Sequence, residues 1–244
     1  MKLLLLGEGA SDLGAPDEAD PVGFRKGAMT CVLDTLLGRH GLDGEYKLLT
    51  RGDVSQGIKG SKRSISPRPK EVDKELCAIY KSALFVGQKV GVCGQDGAVY
   101  FHDADRTCST PSGKAQRVEA AINVGFAAAD CVTGVPMVPN PRSEAWLLAY
   151  FQKNLPRQTV YNKAERFEEL PGNDKSPHSA KKLLAKALGC AESDIYGIVM
   201  EQIDEIDWTR VSMPSFDRFK CRFEKLIDEF KKGSCEQGEQ NVRR

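Results

Sequence analysis

Glu8, Asp103 and Asp105 are the residues whose type and placement point most directly to chemistry. Glu8 follows the apolar run Leu3 to Leu6, and the two aspartates follow a second apolar run ending at Phe101. Each run suits a buried strand of parallel sheet, and open α/β sheets place their ligands at the carboxyl ends of such strands. Asp103 and Asp105 flank a single residue, so in an extended turn both carboxylates point the same way and can meet Glu8. Three gathered carboxylates repel unless a cation neutralises them, and hard oxygen ligands of this kind suit Mg²⁺ or Mn²⁺. An ion held there would bind a phosphodiester, polarise it and lower the pKa of an attacking water.

Other residues fit around that centre. Glu144, just after a later strand, either completes a second cation site or serves as an acid favoured by a helix N-terminus. Ser11 and Asp12 lie close enough to Glu8 to hydrogen-bond to it, or else form a plain turn with a helix cap. Lys59, Lys62, Arg63, Arg106 and Lys114 supply positive charge that can engage backbone phosphates, or that simply solvates surface loops. His102 should point away from Asp103 and pack rather than ligate.

The elements that must position these residues are legible as alternating strands and helices. Leu3 to Leu6 reads as the first strand, and Phe24 to Leu37 as a helix ended by Gly38 and Gly41. Tyr46 to Thr50 reads as a strand, Arg51 to Pro69 as a mobile, positively charged loop, and Lys70 to Gln88 as a helix with apolar residues every three to four positions. Val99 to His102 is the strand that delivers Asp103. A helix over Ser112 to Asp130, a strand at Val135 to Val138 and a helix from about Arg142 follow. This order predicts an α/β domain over 1–153, with a mainly parallel sheet covered by helices on both faces. Beyond it the pattern is helical over 154–232, notably Lys181 to Leu188 and Phe216 to Lys232, with a frayed polar tail over 233–244.

Composition sets outer bounds. With 244 residues, 41% hydrophobic and 28% charged, the chain can bury a full α/β core with a helical appendage. A net charge of +1 gives no global field for polyanions, so nucleic-acid binding would need local clusters of Lys and Arg. The eight cysteines stand singly, without C-x-x-C pairs, and read as reduced thiols of a cytoplasmic protein. The apolar start stops after Leu6, too short for a signal peptide, and no run reaches transmembrane length.

The segments LLLLGEGASD, VYFHDADRT and VPMVPNPRSEAWLLA, in this order, resemble the Toprim superfamily, whose pattern is a Glu after the first strand and a D-x-D after a later one. The chain is most similar to a bacterial Toprim-like group related to OLD-family nucleases. The segments SPHSAKKLLAKAL, IDEIDW and MPSFDRFKCRFEKL extend that likeness over most of the chain. The resemblance implies a Toprim-like catalytic domain, Mg²⁺-dependent cleavage of DNA or RNA, Glu8 as general acid or base, and Asp103 and Asp105 as metal ligands. It also implies a setting in phage defence or mobile elements, sometimes with a separate ATPase partner, since this chain has no G-x-x-x-x-G-K-[ST] loop. Tyr100 sits within a strand, which disfavours a topoisomerase.

Three rivals compete with the nuclease expectation. Asp103, Asp105 and Thr107 spell D-x-D-x-T, the arrangement of a haloacid-dehalogenase-like phosphatase with Asp103 as nucleophile, although that fold normally places this strand first. Gly7, Gly9 and Gly14 suggest a dinucleotide fingerprint that fails because Asp12 stands where the third glycine belongs. A non-catalytic regulatory partner on the same frame is the remaining reading.

Overall fold

The computed structural model describes residues 1–7, 9–16, 24–60, 68–104, 113–152, 164–173 and 175–242, with side chains described up to residue 233. Its centre is a four-stranded parallel sheet of β1 (Lys2–Leu6), β4 (Glu45–Leu49), β5 (Gly97–Phe101) and β6 (Gly134–Met137), in the order β4-β1-β5-β6. The α/β class with a helical C-terminal region therefore stands.

Alternation along the strands assigns each residue to a face, because successive side chains point to opposite sides. Leu3, Leu5, Val99, Phe101, Val135 and Met137 enter one core together with α2 (Ala28–Gly38), α6 (Ser143–Phe151) and α7 (Ala180–Leu188). That core also holds α8 (Ile195–Glu201) and α9 (Pro214–Val242), so the helical C-terminal half shares a core with the sheet. Leu4, Leu6, Ala98 and Tyr100 enter the opposite core with α3 (Arg51–Gly60), α4 (Cys77–Val92) and α5 (Lys114–Ala128). β1 and β5 are thus apolar on both faces, which is why they read as unbroken apolar runs.

An aromatic cluster closes the first of these layers. Trp146 on α6 is fully buried, meets Phe216 edge-on at 5.0 Å and stacks on Phe219 at 5.8 Å. Its indole Nε1 donates to Ser215 Oγ at 2.8 Å, so the one polar atom of the ring is satisfied inside the core. On the far side of α9, Arg218 and Arg222 donate to the two oxygens of buried Glu119 of α5, at 2.9 and 3.0 Å.

Four expectations need correction. Phe24 to Lys26 is not the first turn of a helix but a short strand, β3, paired antiparallel with β2 (Gly14–Pro16), and α2 begins only at Ala28. Arg51 to Gly60 is helix α3 rather than loop, because Thr50 and Asp53 cap it reciprocally: Thr50 N and Oγ1 donate to Asp53 Oδ2, and Asp53 N donates to Thr50 Oγ1. Val54 adds a buried anchor to that helix, which its glycines and charges conceal in the sequence. The helix expected from Lys70 begins later, with a 3₁₀ turn at Lys74–Leu76 leading into α4. Helix α9 continues beyond Gly233 to Val242.

Candidate functional site

The strand order places β1 between β4 and β5, so the chain leaves β1 toward one side of the sheet and returns to pair on the other. The crevice between the carboxyl ends of β1 and β5 is the topological switch point, the usual ligand position in such sheets. The register sets Leu6 beside Tyr100 and Phe101 beside Met137, so the segments after β1, β5 and β6 emerge side by side. Glu8 and Asp105 lie outside the described residues, as do Lys62, Arg63 and Arg106.

Three of those emerging segments are joined by hydrogen bonds. Beyond β1 the chain turns into the single-turn helix α1 (Ala10–Leu13), where Asp12 N and Leu13 N both donate to Gly9 O. Gly7 permits this turn, since a Cβ there would collide with the Leu13 side chain. Gly14 leaves it with φ +100, a left-handed conformation that glycine adopts without strain. The glycines of the failed dinucleotide fingerprint thus have a different use, which is to fold the segment that carries Asp12.

Pairing between β5 and β6 runs past the strands, with His102 N donating to Met137 O and Ala104 N to Pro139 O. That zipper carries Asp103 to the start of α6. Asp103 is buried, and its Oδ1 accepts the backbone N–H of Ser143 at 3.1 Å. Ser143 Oγ in turn donates to Asp12 Oδ1 at 2.9 Å. Two acids more than ninety residues apart therefore converge on the first residue of one helix, whose positive dipole end favours negative charge.

Asp12, Ser143 and Glu144 line a cleft of about 260 Å³, faced by Lys181 of α7 and by Glu192 and Tyr196 near α8. Asp103 sits behind Ser143 rather than on the cleft wall. Glu144 lines the cleft and stands in the first turn of α6, where the helix dipole favours an acid. Ser11 lines the same cleft beside Asp12. Neither Lys59, exposed on α3, nor Lys114, at the start of α5, lines it.

Among the described residues, no three His, Cys, Asp or Glu side chains are grouped closely enough to hold a metal ion. The donor set that is described, Asp103 with Asp12 one serine away, is of the hard-oxygen kind that suits Mg²⁺ or Mn²⁺. It fits such an ion in chemistry, with Glu8 and Asp105 adjoining it in the chain.

Sequence reasoning passed over the residue that links the acids, Ser143, because a serine before an apolar helix signals only a cap. The signal available was its position immediately after the proline-broken end of β6 and immediately before Glu144. A second polar cluster also went unread. Asp34 on α2 receives Lys26 Nζ at 2.7 Å and the Tyr46 hydroxyl at 2.7 Å. Burial, reinforced by the Asp34 charge, pushes the Cys31 thiol up to about 11 and raises Tyr46 as well. The hydrogen bond to Asp34 raises Lys26 despite partial burial. This cluster ties β3, α2 and β4 together, and none of Lys26, Asp34 and Tyr46 lines the cleft.

No helix among the described residues is long and apolar enough to cross a membrane. Comparison of the chain with protein-family models, with curated proteins and with solved structures finds no match.

Proposed function

We propose that this chain is a Mg²⁺- or Mn²⁺-dependent nuclease of Toprim type, cleaving phosphodiester bonds of DNA or RNA at the carboxyl edge of its sheet. The observation that carries the reading is the Asp12–Ser143–Asp103 chain of hydrogen bonds at the β1/β5 switch point, with Glu144 facing the adjoining cleft. Asp12 and Asp103, carried on from two separate strand ends and held one serine apart, repel unless a cation neutralises them. Plain loop starts would leave them apart in solvent.

The metal, when bound, supplies Lewis-acid polarisation of the scissile phosphate. Asp103, with Glu8 and Asp105 nearby in the chain, would hold it. Ser143 fixes Asp103 through its N–H and Asp12 through its hydroxyl, so the acids keep one geometry whether or not the substrate is present. Glu8 is the proposed general acid or base. Lys181, across the cleft from Glu144, is placed to pair with a substrate phosphate. A cytoplasmic location, read from the singly placed cysteines, belongs to the same proposal, as do a role in phage defence and a separate ATPase partner, which rest on the sequence resemblance alone.

The test is cleavage of single- and double-stranded DNA and RNA during Mg²⁺ and Mn²⁺ titration. Activity lost in Glu8→Gln and in Asp103→Asn supports the reading. Hydrolysis of a small phosphomonoester that survives Glu8→Gln would instead indicate the phosphatase built on Asp103, and neither activity would indicate a regulatory partner.

A further inference from the structure

The two outer strands of the parallel sheet end it in different ways. At β6, Ala98 N donates to Thr133 O and His102 N to Met137 O, so Val135 and Met137 turn their backbone groups toward β5 while Pro136 turns outward. Proline has no N–H, and at an outward position it blocks the addition of a further strand. At β4, Glu45 N donates to Met1 O, and the parallel ladder repeats every second residue, so Glu45, Lys47 and Leu49 face β1. Tyr46 and Leu48 turn their N–H and C=O groups the other way, where no described backbone group meets them.

We infer that this edge pairs with a second copy of the chain, β4 against β4 and antiparallel, about a two-fold axis at Tyr46, joining two four-stranded sheets into one. Such an axis makes the contact self-complementary, each pair of facing residues being repeated in reverse. Charge chooses the register. Centred on Lys47, the two lysines would face each other and repel. Centred on Tyr46, Glu45 stands opposite the partner's Lys47 and Lys47 opposite the partner's Glu45. Outward backbone groups then meet outward groups at Tyr46, and the two charge pairs fall at non-hydrogen-bonded positions, where facing side chains come closer. Both side chains are available for this. Glu45 and Lys47 are exposed, Glu45 reaches Lys2 at 3.9 Å, and Lys47 Nζ meets Cys93 Sγ at 3.8 Å but no described carboxylate. An exposed lysine ordinarily deters pairing at an edge, but here the glutamate two residues earlier supplies its counter-charge. On the opposite face Tyr46 and Leu48 are half-buried, leaving apolar surface for a facing strand to cover.

The pairing needs neither metal nor substrate and stands apart from the nuclease reading. The experiment is sedimentation velocity on the full chain in EDTA over a dilution series. The parent should sediment as a dimer that dissociates on dilution. Glu45→Lys and Lys47→Glu should each weaken it about tenfold or more, since each turns two opposite-charge pairs into two like-charge pairs. An equimolar mixture of the two variants should restore the dimer, because a strand bearing two lysines then faces one bearing two glutamates. Leu48→Pro, which removes an outward N–H as Pro136 does on β6, should weaken it independently of charge. The inference is overturned if the parent is monomeric at every concentration, if its dimer is indifferent to Lys47→Glu and to Leu48→Pro, or if the mixture associates no better than either variant alone.

Discussion

Ser143 Oγ donates to Asp12 Oδ1 at 2.9 Å, a bond between residues 131 positions apart that joins the turn after β1 to the start of α6. Because the same residue's N–H is held by Asp103, one serine fixes the spacing of two acids. Ser143→Ala should leave the fold intact while metal-dependent cleavage, or the apparent metal affinity, falls about 10- to 100-fold, the usual effect of removing a group that orients ligands. The Mg²⁺ concentration giving half-maximal cleavage measures it; an unchanged value would mean that Asp12 does not contribute to the site.

Asp103 has a structural role and a proposed chemical one, and two substitutions separate them. Asparagine keeps an oxygen to accept from Ser143 N, so Asp103→Asn should cost less than about 1.5 kcal/mol, whereas Asp103→Ala leaves a buried N–H unpaired and costs roughly 1–3 kcal/mol. Both should abolish cleavage. Urea unfolding beside a nuclease assay resolves the two effects.

Glu119 anchors α9 to α5 through Arg218 and Arg222. Glu119→Ala should destabilise the chain by roughly 1–3 kcal/mol, below the figure for a fully buried pair because both arginines retain solvent contact. Replacing the carboxylate with Gln should recover part of that loss, as read from urea midpoints.

Stability should fall in alkaline solution through Cys31 and Tyr46. Burial raises Cys31 from 9.0 in the open chain to about 11 in the fold, so its contribution is complete below pH 9 and is lost as pH rises to about 11. Tyr46, raised by burial and by Asp34, acts in the same direction from about pH 10 upward. Thermal melts at pH 8 and pH 10.5 should show a smaller drop in a Cys31→Ala, Tyr46→Phe double variant than in the parent. Equal drops would place the alkaline sensitivity elsewhere.

How much of this was readable from residues alone depended on whether a local pattern had one physical cause. The apolar runs at β1 and β5 had one, burial on both faces, and were placed within a residue or two. Phe24 to Lys26 failed because an aromatic followed by two basic residues fits a helix start as well as a strand, and only the Gly14–Pro16 partner decides between them. Helix α3 failed because its glycines outweighed the Thr50–Asp53 cap on inspection, although that cap is the feature that starts the helix. At the site, Asp103 and Asp12 were legible as acids near strand ends. Their link through Ser143 was not, since it depends on the β5–β6 pairing continuing to Pro139.

The aromatic stripe of α9 has a consequence for biosynthesis. Phe216, Phe219 and Phe223 seal a layer whose other members, Leu3 and Leu5 among them, leave the ribosome some two hundred residues earlier. At a synthesis rate of about 5–20 residues per second, that face of the nascent sheet, with α2 already made, stays incompletely covered for roughly ten seconds or more. The opposite face, built from α3, α4 and α5, can be sheathed well before then. Maturation of the acidic edge is thus timed by the last helix to be translated, and a chaperone binding this polypeptide co-translationally would find its target on the Trp146 side.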